Sequence, residues 1–318
     1  MIYFKKIVTW VSKNRPVLEK IITIGVLFLS LSFLILVLSK GWYEVVPYLK
    51  QINFLLLLAG LCSTFVALLL GGLMWWLVQK GVGLGLGLYE SIAIQFTSDI
   101  SKYIPGYAWQ YMSKAYLVNR SRKTPTRQIG IAIMSEFILL TLGGAGFAGL
   151  LAWVFNLDLP LRWQIPHWLW LVITGSCLLV ILLWIIWVPR LLVGQRISYD
   201  GKTLWLAMIV GLIGWLIFSL AVWLIARSLF PLRWDGFPQV GFALALSGII
   251  GIVVIFVPNG IGVREATMTL LLQGLLPLPI GVVVSILVRL SVILGELVCF
   301  MLVFRKVKQM QAYWQLEP

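Results

Sequence analysis

Charged side chains set inside apolar segments are the residues of this chain with chemistry to offer. The segment IFVPNGIGVREATMTLLL, from Ile255 to Leu272, interrupts itself with Pro258, Asn259, Gly260 and Gly262, then sets Arg264 and Glu265 side by side. Beyond it, Arg289 and Glu296 lie seven residues apart, two turns along one helical face. An earlier apolar stretch carries a similar mixture in SDISKYIPGYAW, with Asp99, Lys102, Pro105 and Gly106, and is followed by Lys114 and Glu136. Insertion scales put the cost of an Asp, Lys or Arg at the centre of a membrane helix at about 2.5–3.5 kcal/mol. Such groups therefore face inward and pair, or face a wet cavity. The basic ones (Lys102, Arg264, Arg289) suit a phosphate. The acidic ones (Glu136, Glu265, Glu296) balance them in an empty site, or meet a cationic headgroup or a proton.

Spacing narrows the pairing. Asp99 and Lys102 are three apart and can meet on a helix. Arg264 and Glu265 are adjacent, point different ways on a helix and need other partners. The expected pairs are Glu265 or Glu296 with Arg289, and Glu136 with Lys102 or Lys114, across a pseudo-twofold axis. Buried ion pairs can also fix helix register without binding anything. The coincidence of charge with Pro/Gly breaks at matching places favours a site. Helices starting near Tyr107 and Gly262 would point their positive dipole ends toward mid-membrane, where an anionic headgroup could sit.

The elements that must hold these groups follow from composition. Hydrophobic residues make up 61% of the 318 and charged residues 11%, where soluble domains carry roughly a quarter charged. The chain reads as an all-α polytopic membrane protein and a single transmembrane domain over 1–318. Runs long enough to span lie at 21–39, 54–79, 128–155, 168–188, 203–230 and 281–304. Two more, about 88–118 and 239–276, are broken into pieces near half a span. The order is span, span, broken segment, span, and then the same again. If each broken segment is a re-entrant hairpin, each half crosses three times and the second half, 160–306, is inverted relative to the first, 1–155. Broken helices in matching positions of two inverted repeats mark transporter sites.

The basic residues fit this layout. Lys5, Lys6, Lys13, Arg15, Lys20, Lys80, Arg120, Arg122, Lys123, Arg127, Arg190, Arg196, Lys202, Arg305, Lys306 and Lys308 fall on one side, against Lys40, Lys50, Arg162 and Arg233 on the other. The positive-inside rule then places both termini in the cytoplasm. The first apolar run is longer than a signal-peptide core and leads into SKGWYE, so it is expected to stay as an uncleaved span. Charge of this kind, in short segments between spans, points away from nucleic acid despite a net +14.

Several classes find no support. There is no G-x-x-x-x-G-K-[ST] loop, no H-E-x-x-H and no paired Cys/His cluster, so no metal and no cofactor is expected. Cys62, Cys177 and Cys299 sit singly in separate apolar runs as small hydrophobes. His167, in RWQIPHWLW, reads as an interfacial anchor.

Four motifs in order, KYIPGYAW (Lys102 to Trp109), the Arg127 to Glu136 step, VPNGIGVRE (Val257 to Glu265) and LVRLSVILGE (Leu287 to Glu296), resemble one family. It is the flippase-like transmembrane domain of the lysylphosphatidylglycerol synthases and their stand-alone membrane relatives. The resemblance implies lipid handling, and by position it carries over Lys102, Pro105, Gly106, Glu136, Pro258, Gly260, Gly262, Glu265 and Arg289. The chain ends at Pro318, soon after RKVKQMQAYW, and is expected to lack the aminoacyl-transferase domain and its activity.

The reading at this point is an inner-membrane translocase, not an enzyme, that moves an anionic or headgroup-modified lipid between leaflets. Its substrate site would comprise Lys102, Pro105, Gly106, Glu136, Pro258, Asn259, Gly260, Gly262, Arg264, Glu265, Arg289 and Glu296. The partners expected are a phospholipid or polyprenyl-phosphate lipid, and a second copy of the chain or a lipid-modifying enzyme. The alternative is an accessory or enzymatic subunit of a lipid-linked glycan pathway, and a third reading is a purely structural partner.

Overall fold

A computed structural model describes residues 24–26, 28–103, 109–122, 124–157, 165–191, 199–254 and 257–316. Within these residues regular structure is helical, with one isolated bridge between Gln273 and Leu276. The helices are α1 (Ile24–Lys40), α2 (Trp42–Lys50), α3 (Phe54–Gly81), α4 (Leu88–Ile100), α5 (Trp109–Arg122), α6 (Thr126–Val154), α7 (His167–Leu191), α8 (Gly201–Leu229), α9 (Phe237–Val253), α10 (Val263–Leu271) and α11 (Leu278–Leu316). Short 3-10 turns at Ser101–Tyr103, Trp234–Gly236 and Pro258–Gly260 join them.

Among the described residues, six stretches are long and apolar enough to cross a membrane: Phe54–Gly81, Thr126–Val154, His167–Val188, Gly201–Leu229, Trp234–Val253 and Leu278–Phe304. With α1, the helices match the sequence-derived spans to within a few residues. The protein is a multi-pass membrane protein. Its large exposed side chains lie where lipid would be, as on α7, where Leu171, Val172, Leu178, Leu179, Leu183 and Ile186 are all exposed.

One sequence expectation needs correcting. The piece before the second break is not half a span, because α9 with its leading 3-10 turn covers Trp234–Val253, 20 residues. Pro238 does not shorten it, since it sits in the first turn of the helix, where its missing N–H is no loss. The short helix α2 was not foreseen. The chain bends by 74° between α1 and α2, and Gly41 lets this corner lie against Pro279 of α11.

The scaffold is an antiparallel pair, α3 and α8, tied at both ends. Asn53 N–H donates to the Ser228 carbonyl at 2.8 Å and Asp200 N–H to the Gly81 carbonyl at 3.0 Å. The helix starts are capped as their sequences dictate. Asn53 Oδ1 accepts from Leu55 and Leu56 N–H at 3.1 Å, and Asp200 Oδ1 accepts from Lys202 N–H at 3.0 Å. At Gly60 the two helices approach so closely that a Cβ would meet Ile225 at 2.7 Å. Two apolar cores flank this pair. One gathers Met74, Trp75, Val78, Val118, Ile129 and Leu204; the other gathers Val222, Trp223, Val240, Phe242, Leu272 and Val284.

Each broken segment folds back on itself. Arg122 at the end of α5 meets Glu90 at the start of α4, Nη2 to Oε2 2.8 Å. Gln239 at the start of α9 donates to the Leu271 carbonyl at the end of α10, 3.1 Å. The α4–α5 hairpin opens toward the end of the molecule that holds the α3 C-terminus, where Gln128 of α6 bonds the Val82 carbonyl at 3.0 Å. The α9–α10 hairpin opens toward the other end.

Candidate functional site

The second break shows how residue type makes the turn. Asn259, Gly260 and Gly262 have φ of 49°, 62° and 81°, a left-handed region open to Gly and, among the other residues, mainly to Asn and Asp. The chain thus reverses within a few residues and starts α10 at Val263. Glu265, in the first turn of α10, accepts from Gly262 N–H at 2.6 Å, which satisfies one of the free donors at the helix start.

Both hairpins lean on one face of α11. Arg289 there lies 3.7 Å from the Glu265 carboxylate and donates to the Asn259 carbonyl at 3.4 Å. Two turns further, Glu296 accepts from Lys102 Nζ and from the Tyr103 hydroxyl, the latter at 2.8 Å. The Tyr103 ring stands between the two cations, 5.6 Å from Lys102 Nζ and 5.8 Å from the Arg289 guanidinium. Among the described residues, Arg289 Nη2 is buried without a hydrogen-bond partner.

A second polar cluster lies deeper in the first hairpin. Lys114 of α5, 1% exposed, bonds Glu136 of α6 at 2.5 Å and Gln95 of α4 at 2.6 Å, and sits 4.3 Å from the Trp75 ring centre. Gln95 also donates to Asp99 at 3.2 Å, and Gln110 donates to it at 2.5 Å. A bonded chain thus runs from Glu136 through Lys114 and Gln95 to Asp99.

A cavity of about 300 Å³ lies between α3, α6, α8, α9, the two hairpin turns and α11. Its polar lining includes Asp99, Lys102, Gln95, Gln110, Asn259, Arg264, Glu265, Arg289 and Glu296. Its apolar lining includes Leu68, Met74, Trp215, Phe218, Leu244 and Val292. Among the described residues, no three His, Cys, Asp or Glu side chains converge as metal ligands.

The structure brings Lys102, Asn259, Arg264, Glu265, Arg289 and Glu296 together, as their position in the sequence suggested. Gly260 and Gly262 form the turn behind them, and Gly260 and Gly251 leave room for the Arg264 side chain. Pro258 opens the 3-10 turn. Glu136 stands outside the cavity and reaches it only through Lys114 and Gln95. Pro105 and Gly106 lie outside the described residues, and so does the comparison of Pro105 with Pro258.

The pairing differs from expectation in two ways. Lys102 turns to Glu296 rather than to Asp99, because Ser101–Tyr103 is a 3-10 turn and no longer follows the α4 helix. The pairs Glu136–Lys114 and Glu265–Arg289 each stay within their own half of the chain. Among the described residues, the ion pair across the halves is Lys102–Glu296. Sequence reasoning overlooked Gln95, Gln110 and Tyr103. A weaker signal was available, since a carboxamide at membrane depth is costly without a partner, though far less so than a charge.

Comparisons with known proteins identify a family. The profile of the lysylphosphatidylglycerol synthase TM region matches residues 22–297. The chain is also similar to inner membrane protein YbhN of Escherichia coli (strain K12), 25% identical over 325 residues that cover 95% of this chain and 98% of that one.

Proposed function

The chain belongs to the family of the lysylphosphatidylglycerol synthase TM region, and from that membership and the charged cavity we propose that it is a lipid translocase of the inner membrane. The substrate is a lipid with an anionic or modified headgroup, phospholipid or polyprenyl-phosphate in type. Translocation makes and breaks no covalent bond, so the site needs no nucleophile or metal.

The observation that carries this reading is the meeting of the two hairpins on α11. Lys102 from the first joins Glu296, Glu265 from the second joins Arg289, and all four line one cavity. Among the described residues Arg289 Nη2 is a buried donor without a partner, and leaving such a group unsatisfied costs about 1–3 kcal/mol. A phosphate oxygen would satisfy it. In this reading Lys102, Arg264 and Arg289 hold the phosphate, and Glu265 and Glu296 balance them when the site is empty. Asn259, Gly260, Gly262 and Pro258, with Pro105 and Gly106 in the other turn, shape the walls. Glu136 acts at a distance by holding Lys114 and, through Gln95, Asp99.

Two inverted repeats, 1–155 and 160–306, are part of the proposal. They are supported by hairpins that close on themselves at Arg122–Glu90 and Gln239–Leu271 and open toward opposite ends. The end with Lys80, Arg122, Arg127, Arg190 and Lys202 is placed in the cytoplasm, with both termini, by the positive-inside rule.

The test is a proteoliposome assay with a fluorescent lipid and no soluble co-substrate. The wild type moves the lipid between leaflets and Glu265→Gln abolishes the movement. Chemical turnover of the lipid by the purified protein would support an enzyme of a lipid-linked glycan pathway instead. Wild-type function in a strain carrying neutral residues at Lys102, Glu136 and Glu265 together would leave a structural role.

A further inference from the structure

The cavity is charge-balanced when empty, and this has a consequence for what must enter with a headgroup. Among the described residues its lining holds three carboxylates, Asp99, Glu265 and Glu296, and three cations, Lys102, Arg264 and Arg289. A phosphodiester arriving there adds one negative charge. It binds by taking a cation from a carboxylate, and a buried carboxylate stripped of its cation is strongly disfavoured. The simplest neutral outcome is that one carboxylate takes a proton.

The hydrogen bonds identify which one. Asp99 has two carboxamide donors, Gln95 at 3.2 Å and Gln110 at 2.5 Å, and keeps them whatever Lys102 does. Glu265 keeps the Gly262 N–H at 2.6 Å if Arg289 moves away. Each of these carboxylates therefore keeps a hydrogen-bond donor when a cation moves away. Among the described residues Glu296, 2% exposed, has Lys102 and the Tyr103 hydroxyl and no other donor. It depends most on the cation that a phosphate would attract.

We propose that Glu296 takes up one proton each time an anionic headgroup binds, so that translocation is coupled to protons. Lys102 Nζ leaves Glu296 Oε1 for a phosphate oxygen, and a proton from water takes its place on that carboxylate. The cavity then holds one more negative charge from the lipid and one more positive charge from the proton, and stays neutral.

The surroundings of Glu296 are consistent with one responding group. The first hairpin presents Lys102, Tyr103, Asp99 and Gln110, and α10 presents Arg264 and Glu265 along the same cavity. From α3 come Thr64, bonded to Ser291 at 3.2 Å, and Leu68, packed at Gly295. From α8 come Trp215 and Phe218. On α11 itself the titratable neighbours are Arg289 and the buried Cys299. The α1–α2 corner meets α11 at the far end, at Pro279.

This inference rests on the translocase reading and is tested by binding, which separates the two. Purified protein in detergent is titrated with dioctanoyl phosphatidylglycerol in buffers of different ionisation enthalpy, and the heats give the protons exchanged. The wild type should take up about one proton per lipid, with affinity weakening about tenfold for each unit that pH rises. Glu296→Gln should bind with no proton uptake and a flat pH profile, while Glu90→Gln, at the exposed pair with Arg122, should keep the wild-type slope. If Glu296→Gln does not fold, Lys102→Met serves. It leaves Glu296 without a cation and so already protonated, and uptake should again be lost. Binding by the wild type without proton uptake overturns the inference and leaves the translocase reading standing. So does uptake that survives in Glu296→Gln and disappears in Glu265→Gln. No binding of any lipid overturns both.

Discussion

The two hairpins do the same geometric job with opposite materials. The α9–α10 hairpin is anchored by apolar packing, with Val240, Phe242, Ala243, Leu244 and Ala245 buried on α9, and its charge is confined to the turn and the first residues of α10. The α4–α5 hairpin spreads its polar groups along both arms, with Gln95, Ser98 and Asp99 buried on α4 and Lys114 on α5. One is held by burial and the other by a buried polar network. An apolar anchor tolerates a change of charge at its tip. A polar anchor does not tolerate one within its arms, because every unpaired member is left in low dielectric.

The difference can be broken most severely at Lys114. Lys114→Met leaves the Glu136 carboxylate without its cation and should destabilise the protein by about 3–5 kcal/mol, read as a lowered unfolding midpoint in detergent. Lys114→Met with Glu136→Met should recover much of that loss, since the buried carboxylate leaves with its cation and what is left unpaired is the neutral Gln95 Oε1. Arg289→Met acts on the second hairpin and should cost less, about 1–3 kcal/mol, because Glu265 retains the Gly262 N–H. It should nonetheless abolish lipid movement in proteoliposomes, and stability and transport would then separate at this position.

Gly262→Ala sharpens the comparison at the turn itself. Its φ of +81° and the nearby Ser30 side chain should make the change cost about 1–2 kcal/mol, visible in the same unfolding measurement. A stable Gly262→Ala protein would show that the second hairpin turns by another conformation. The smallest effect is expected from Glu90→Gln. The Arg122 partner is 44% exposed, and pairs of that kind contribute under about 1 kcal/mol. A larger loss would mean that the mouth of the first hairpin is held by this pair rather than by the network below it.

Much of the architecture was legible before any coordinates. The spans are long apolar runs, and a bilayer leaves a chain few options for satisfying its backbone. The two breaks were marked by Pro and Gly, and the left-handed turn at Asn259–Gly262 follows directly from residue type. The seven-residue spacing of Arg289 and Glu296 correctly put both on one face. The length of α9 was misjudged because hydropathy does not distinguish a proline in a first turn from one that ends a helix. Residues such as Gln95, Gln110 and Tyr103 carry no formal charge and gave no periodic signal.

The sequence by itself determined that this chain lives in a membrane, where most of its long apolar helices lie, and which charges are costly at that depth. Those outcomes depend on local composition and on the free energy of moving groups out of water, and both are readable one segment at a time. The partners were decided only by the tertiary structure. Whether Lys102 reaches Asp99 or Glu296, and whether Glu136 faces a cavity or supports it from behind, depends on how α11 passes between two hairpins far apart in the chain. Electrostatic attraction at short range is set by side-chain geometry to within an ångström, and no spacing along the sequence encodes that distance.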